Sequence, residues 1–300
     1  MTLDLDKAII GISGILVTPY DADGNLAPER LTPIIDRAID AGVHMPVVNG
    51  NTGEFYALTT DEAITMVHCV SEMINKRVPL LAGVGRGIRD ACALAKASSD
   101  AGATALMIHQ PPDPFVAPRG TVDYVKAIHD ASDGLPMMLY LRDDNIGVDG
   151  IKALCDLPGV KGVKWATPNP QKLAEAISAC DPDIIWVGGL AEVWAPTFYA
   201  VGARGFTSGL INVWPERSVA IHNALEASDY ATARKLIAEM RGFEDIRSQE
   251  RNGTNVTGVK SALQAIGIDC GSTRPPSAWP LTDTQQESLK LFLTSNGLIK

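Results

Sequence analysis

The chain has 300 residues, 46% of them hydrophobic and 20% charged, enough to bury a substantial core in one large domain or two ordinary ones. A formal net charge of −9 argues against a binder of nucleic-acid backbones, and no apolar run approaches the ~20 residues of a membrane span. Met1–Lys7 carries alternating acids without a basic or apolar leader, so a cytoplasmic protein is expected rather than a secreted or membrane one.

Short apolar runs alternate with amphipathic helical stretches. Gly14–Val17 reads as the first strand; Thr32-Pro33 follows as N-cap and first helical residue, with Ile34, Ile35, Ala38 and Ile39 on one face and Gly42 at the stop. Met45–Val48 is the second strand, and Thr59-x-x-Glu62 is a capping box opening a helix that carries Ala63, Met66, Val67, Val70 and Ile74. Further strands are predicted at Val78–Ala82, Ala105–Ile108, Pro136–Tyr140, Val160–Lys164, Ile184–Val187 and Gly205–Ser208. Parallel strands covered by helices on both faces read as continuous apolar runs, as these do. Eight strand–helix units in one series favour a closed (β/α)8 TIM barrel over an open doubly wound sheet. Beyond the eighth unit the pattern turns helical, at 228–247, 255–267 and 283–295, the last with Thr282 as N-cap. The expected organisation is a barrel over residues 1–226 and a C-terminal helical extension packed on it over 227–300.

The five cysteines are odd in number, widely spaced and without a CxxC pair, so they read as small core hydrophobes rather than disulfides or ligands. The five histidines show no ligand spacing, and no metal site is predicted. Two acceptor patterns for glycosylation, at Asn252 and Asn255, are read as coincidence without an export signal.

In such a barrel the C-terminal strand ends and the loops after them build the active site. The residues falling there are Thr18-Pro19, the turn Asn49-Gly50-Asn51-Thr52-Gly53-Glu54, Gly83-Val84-Gly85-Arg86, Tyr140 with Arg142, Lys164, Gly188-Gly189, and Ser208 with Asn212. The turn presents amide and hydroxyl groups and backbone N–H donors suited to an anion. Lys164 stands out, because a strand-end lysine between Val163 and Trp165 that faced inward would lose hydration, shed its proton and become a nucleophile toward carbonyls. A head that simply reached water is the alternative, and Lys161 fits that description. Tyr140 is either a packing residue or a proton donor. Gly83, Gly85 and Gly87 do not make a dinucleotide fingerprint.

In order along the chain stand Leu16-Val17-Thr18-Pro19-Tyr20, Gly50-Asn51-Thr52-Gly53-Glu54, Leu81-Ala82-Gly83-Val84-Gly85, Tyr140, Gly162-Val163-Lys164, Ser208-x-x-x-Asn212-x-x-Pro215 and Arg274-Pro275-Pro276. Together these resemble the dihydrodipicolinate synthase / N-acetylneuraminate lyase superfamily of class I, Schiff-base lyases. The resemblance implies a (β/α)8 barrel with a helical tail, a homotetramer built as a dimer of dimers, and an enzyme needing no metal or organic cofactor. It makes Lys164 the imine-forming lysine and Tyr140 the proton-relay tyrosine. Thr52 and Asn51 would hold the carboxylate of a small 2-oxo acid substrate, with Asn51 where the family usually has Thr or Ser. Ser208 and Asn212 would complete the substrate site.

Two departures bear on the branch. Dihydrodipicolinate synthases carry paired tyrosines after strand four, whereas Gln110–Phe115 contains none, and they carry an arginine where Asn145 stands. Tyr140-Leu141-Arg142-Asp143 and Gly53–Leu58 look closer to 5-dehydro-4-deoxyglucarate dehydratases, where an arginine two residues past the tyrosine suits a sugar diacid; Thr207-Ser208-Gly209 departs from that branch's paired serines. The expected activity is dehydration or aldol cleavage of a sugar-derived 2-keto-3-deoxy acid. The alternatives are condensation of pyruvate with aspartate semialdehyde (4-hydroxy-tetrahydrodipicolinate synthase) and a non-catalytic keto-acid sensor.

Overall fold

The computed structural model describes residues 4–300, so the first three residues of the acidic segment Met1–Lys7 and of the 1–226 barrel span lie outside the described residues. Eight parallel strands close into a barrel in sequence order: β1 (Ile12–Ile15), β2 (Met45–Val48), β3 (Leu81–Val84), β4 (Ala105–His109), β5 (Met137–Leu141), β6 (Val160–Trp165), β7 (Ile185–Gly188) and β8 (Gly205–Ser208). A short helix, α1 (Leu5–Ile9), precedes β1. The shell is α2 (Thr32–Asp40), α3 (Thr60–Ile74), α4 (Ile88–Asp100), α5 (Pro118–Ala131), α6 (Val148–Cys155), α7 (Pro170–Ala179), α8 (Ala191–Ala200) and α9 (Pro215–Glu226). The tail is α10 (Tyr230–Arg247), α11 (Gln249–Asn252), α12 (Asn255–Ala265) and α13 (Asp283–Ser295). It is the TIM barrel with C-terminal helices that the eightfold alternation predicts.

Two apolar layers follow from strand alternation. Met45, Val47, Leu81, Met107, Met138 and Val187 fill the barrel interior, while Leu106, Ile108, Leu139, Val163 and Trp165 face the helices. Every residue of β6 except Lys161 is buried. Lys161, Val163 and Trp165 therefore point outward, and Gly162 and Lys164 point in.

Three local expectations shift. The first ladder runs over Ile12–Ile15 rather than Gly14–Val17, because the Val17 N–H leaves the sheet to donate to Asn212 Oδ1 at 3.2 Å. The third begins at Leu81, since Pro79 has no N–H to give and Leu80 N–H donates to Thr104 Oγ1 at 3.1 Å. Thr32 is the first residue of α2 and not its cap; a 3-10 turn over Pro28–Leu31 leads directly into the helix, and Leu31 in the cap position makes no side-chain bond. The capping boxes at Thr59/Glu62 and Thr282/Gln285 are both formed.

The tail is joined to the barrel mouth by charge as well as by packing. Lys260 Nζ, on α12, lies 2.7 Å from Glu54 Oε1, with the two side chains 0% and 2% exposed, and donates to Ser272 O at 2.8 Å. Glu54 Oε2 accepts from Arg274 N at 2.8 Å, and the Arg274 guanidinium forks onto the Glu62 carboxylate at 2.6 and 2.8 Å. Removing one member of a buried pair leaves an uncompensated charge. Lys260→Met is therefore expected to lower unfolding free energy by ~3–5 kcal/mol, and Lys260→Met with Glu54→Gln to recover much of that loss, as read by urea denaturation. A single variant as stable as the parent would show that the pair does not hold the tail.

Candidate active site

The turn after β2 is built to be rigid. Asn49 and Glu54 both take left-handed backbone, with φ of 59° and 55°, and the 3-10 turn Asn51–Gly53 lies between them. Thr18 Oγ1 donates to Gly53 O at 2.6 Å, and Asn49 Nδ2 donates to Ala63 O at 3.0 Å, tying the turn to α3. A Cβ on Gly83 would meet Asn49 O at 2.1 Å, so only glycine lets β3 and this turn approach. A turn this short cannot satisfy its own leading N–H groups from within, which leaves donors for an anion.

Tyr140 and Lys164 are register partners on β5 and β6, so both side chains leave the same face. Lys164 is 3% exposed, and its Nζ lies 3.9 Å from the Tyr140 ring centroid and 3.9 Å from Met107 Sδ. Among the described residues no carboxylate pairs with Lys164 in a salt bridge. Burial, with the positive charge of Arg142 adding to it, brings the amine down to about 7. Burial pushes the Tyr140 phenol up to about 12, against the pull of Arg142 and of the Asn51 hydrogen bond. Asn51 Nδ2 donates to the phenol oxygen at 3.0 Å, while Asn51 Oδ1 is buried without a partner.

The cavity above this pair has a volume of about 500 Å³, within the range of roughly 300–1,000 Å³ usual for small-molecule sites. Asn51, Thr52, Tyr140, Arg142, Lys164 and Thr207 line its catalytic end. Of the residues expected at the site from sequence, these structural positions bring together Lys164, Tyr140, Asn51, Thr52 and Arg142. They do not bring Ser208 and Asn212 to the cavity. Alternation along β8 turns Thr207 and Gly209 inward and Ser208 outward, where its Oγ meets Ser218 Oγ at 3.0 Å. Asn212 uses its amide as a brace, donating to Ile15 O and Gly209 O at 2.8 Å each and accepting from Val17 N.

Three features escape a strand-by-strand reading. His109, fully buried at the inner end of β4, lies 2.9 Å from Asn49 O through Nε2, stacks on Phe55 at 4.4 Å and meets the Tyr140 ring edge-on at 5.3 Å. Burial depresses it to about 3, so it is a neutral ring that fixes the tyrosine. Its place at the end of a strand-length run was the available signal. Glu192, at the start of α8, accepts from Ser218 at 2.6 Å, and burial next to Glu244 pushes its carboxyl upward. The opposite wall comes from the tail, with Arg241, Glu244, Arg247, Ser248 and Asn255; nothing in a local pattern marks these. Among the described residues no group of three or more His, Cys, Asp or Glu is placed to hold a metal ion, and the five cysteines are free.

Comparison with known proteins agrees with this architecture. The model of the dihydrodipicolinate synthetase family matches residues 8–296. A protein named probable 5-dehydro-4-deoxyglucarate dehydratase from Rhizobium rhizogenes is 28% identical over 96% of this chain and 95% of its own. A 4-hydroxy-tetrahydrodipicolinate synthase from Persephonella marina is 30% identical over 95% of this chain and 97% of its own. The crystal structure of dihydrodipicolinate synthase from Oceanobacillus iheyensis superposes with a TM-score of 0.93 at 35% identity, covering 98% of this chain and 99% of that one.

A desolvated amine has a measurable signature. Reductive methylation of Lys164 by formaldehyde and cyanoborohydride, followed by peptide mass, is expected to rise with pH through a midpoint near 7 and to level off above it, because only the neutral amine reacts. A midpoint near the ordinary lysine value would show the amine to be hydrated.

Proposed function

This chain belongs to the dihydrodipicolinate synthetase family and is a lyase; from that membership and the buried Lys164–Tyr140 pair we propose that it forms a Schiff base with a sugar-derived 2-keto-3-deoxy acid and dehydrates or cleaves it. The observation carrying this reading is a buried lysine nitrogen 3.9 Å from the ring centroid of a tyrosine at the barrel mouth, where burial brings its titration down to about 7.

The C1 carboxylate of the substrate rests on the Asn51–Thr52 turn, and Arg142, which lines the same cavity, adds a positive field that reaches Lys164 and Tyr140. Lys164 Nζ adds to the C2 carbonyl. Tyr140 hands its proton to the departing oxygen, water leaves, and a protonated imine remains as an electron sink. Loss of a C3 proton then gives an enamine that expels the C4 hydroxyl, which is dehydration. Alternatively, loss of the C4 hydroxyl proton drives C3–C4 cleavage, releasing an aldehyde and leaving the enamine of pyruvate. In each branch the Tyr140 phenolate takes that proton and gives it back, to the C4 hydroxyl as it departs as water or to C3 of the pyruvate enamine, and hydrolysis of the imine then returns the amine.

The branch named by the Rhizobium rhizogenes relative, with 5-dehydro-4-deoxyglucarate as substrate, is one candidate. Synthase chemistry with aspartate semialdehyde is less well supported. The loop after β4, Gln110–Phe115, contains no tyrosine, and Asn145 is occupied locally, its Nδ2 donating to Asp143 Oδ1 at 2.6 Å. The proposal extends to a homotetramer. Tyr56 is 43% exposed and Phe115 92% exposed, two aromatics on loops of the catalytic face that a second copy would cover. Light scattering is expected to give the mass of four chains, and a monodisperse monomer would remove this part.

Borohydride added with pyruvate or a 2-keto-3-deoxy sugar acid is expected to leave a reduced adduct on the peptide containing Lys164. Its absence would overturn the Schiff-base reading, and thermal stabilisation by keto acids without turnover would point to a sensor. Tyr140→Phe is expected to lower kcat by ~10²-fold or more; unchanged turnover would remove the relay.

A further inference from the structure

The Lys164 cavity, at about 500 Å³, is larger than a three-carbon keto acid requires, and part of its wall comes from a different part of the chain than Tyr140 and Lys164. Arg247, at the last residue of α10, is 6% exposed and lines the cavity. Its guanidinium lies against the backbone just past β8: a Cβ on Gly209 would meet Nη2 at 2.4 Å, so a glycine makes the slot in which the arginine sits. Nη2 donates to Asn255 Oδ1 at 2.7 Å, Nη1 donates to Glu244, and Nε is buried with no partner. Glu244 is 14% exposed on its side chain and lines the same wall. Nearly buried polar groups with unused hydrogen-bonding capacity, facing a cavity, call for a ligand that can complete them.

The charge of this wall decides what that ligand is. Arg247 is already answered by Glu244, and Arg241 by Asp245 at 3.7 Å. The four formal charges cancel, and the carboxyl of Glu192 lies close enough to Glu244 to be pushed upward by it. A second substrate carboxylate arriving here would meet Glu244 before it gained Arg247. An uncharged hydroxyl meets no such opposition. It donates to Glu244 and accepts from Arg247 or Asn255, and adjacent hydroxyls match a donor and an acceptor held side by side.

We propose that the wall formed by α10 and the start of α12 is a subsite for the uncharged, hydroxylated tail of the substrate, with Arg247 and Glu244 as its specificity-determining residues. The proposal rests on the Schiff-base reading above, since C2 must be at Lys164 for the tail to reach this wall. It ranks polyhydroxy monoacids above diacids as substrates. Selection works through both an attractive and a repulsive element, the hydroxyl bonds and the Glu244 charge.

The test compares 2-keto-3-deoxygluconate, whose tail is uncharged, with 5-dehydro-4-deoxyglucarate, which carries a second carboxylate. The parent enzyme is expected to show the higher kcat/KM for the monoacid. Glu244→Gln, which removes the opposing charge and keeps the side chain's size, is expected to shift the monoacid-to-diacid ratio by about tenfold toward the diacid, with the change in KM rather than in kcat. Arg247→Lys keeps a cation but loses the fork and is expected to raise KM for the monoacid by about tenfold. A parent enzyme that prefers the diacid would overturn the proposal without need of any variant. So would a ratio unchanged by Glu244→Gln in a protein that still forms the borohydride adduct with pyruvate. If the parent itself forms no pyruvate adduct at Lys164, both the subsite and the Schiff-base reading fall; if it does and the ratios do not move, only the subsite falls.

Discussion

A lysine gives up its proton near neutral pH only where water is kept from its nitrogen, and the catalytic face is arranged around that exclusion. The inward turn of Lys164 follows from period-2 alternation along β6, which sends Lys161 to solvent and Lys164 into the barrel. Beneath the amine lies the methionine-rich layer of the barrel interior, and beside it the Tyr140 ring, neither of which can hydrate or neutralise an ammonium. Among the described residues the charge acting on it is the like charge of Arg142, which favours the same neutral form. Burial and the Arg142 charge act together toward a nucleophile, against the weaker attraction of the Tyr140 ring face for a cation.

A nucleophile alone binds nothing, and the rest of the mouth supplies position. The turn after β2 is a strained piece of chain with two non-glycine residues in left-handed backbone, and such a segment persists only where its surroundings over-determine it. They do so from three sides: Thr18 from the β1 loop, α3 through Asn49, and the tail through Lys260 and Arg274 on Glu54. The helical tail is thus part of the site twice over, bracing the turn at one end of the cavity and forming the wall at the other. A barrel without it would retain Lys164 and lose the geometry around it.

This division explains what could be read from the sequence. The eight apolar runs, the terminal helices and the inward lysine are governed by short-range periodicity, and β2 and β8 begin and end at the residues their patterns mark. Tyr140 and the Asn51–Thr52 turn were legible because barrel topology places strand ends together whatever the details. Ser208 and Asn212 fall outside the cavity lining for a related reason: proximity to a strand end does not give the face, and one residue of alternation separates Thr207 in the cavity from Ser208 behind it. The Glu54–Lys260 pair and the Arg247–Glu244 wall join residues that no local window contains. Lys260 reads as a surface charge on an amphipathic helix until the fold brings a carboxylate to it.

Asn51 shows how one departure from a family pattern can be absorbed by the geometry around it. A threonine or serine hydroxyl in that position can take the phenol's proton and pass one on; an amide donates through its nitrogen and accepts through its oxygen but has no hydroxyl proton to relay. Here Nδ2 donates to the Tyr140 oxygen, so the phenol's own hydrogen is free to point at the substrate rather than along a chain. The same bond lowers the cost of the phenolate that remains after transfer. On the proposed mechanism Tyr140 exchanges its proton directly with the oxygen leaving C2 and recovers it from the water that later opens the imine. The relay becomes shorter, and the burden of holding the phenol in line passes from a hydroxyl chain to packing, which is where the neutral ring of His109, locked on Asn49 O and set edge-on to Tyr140, has its place.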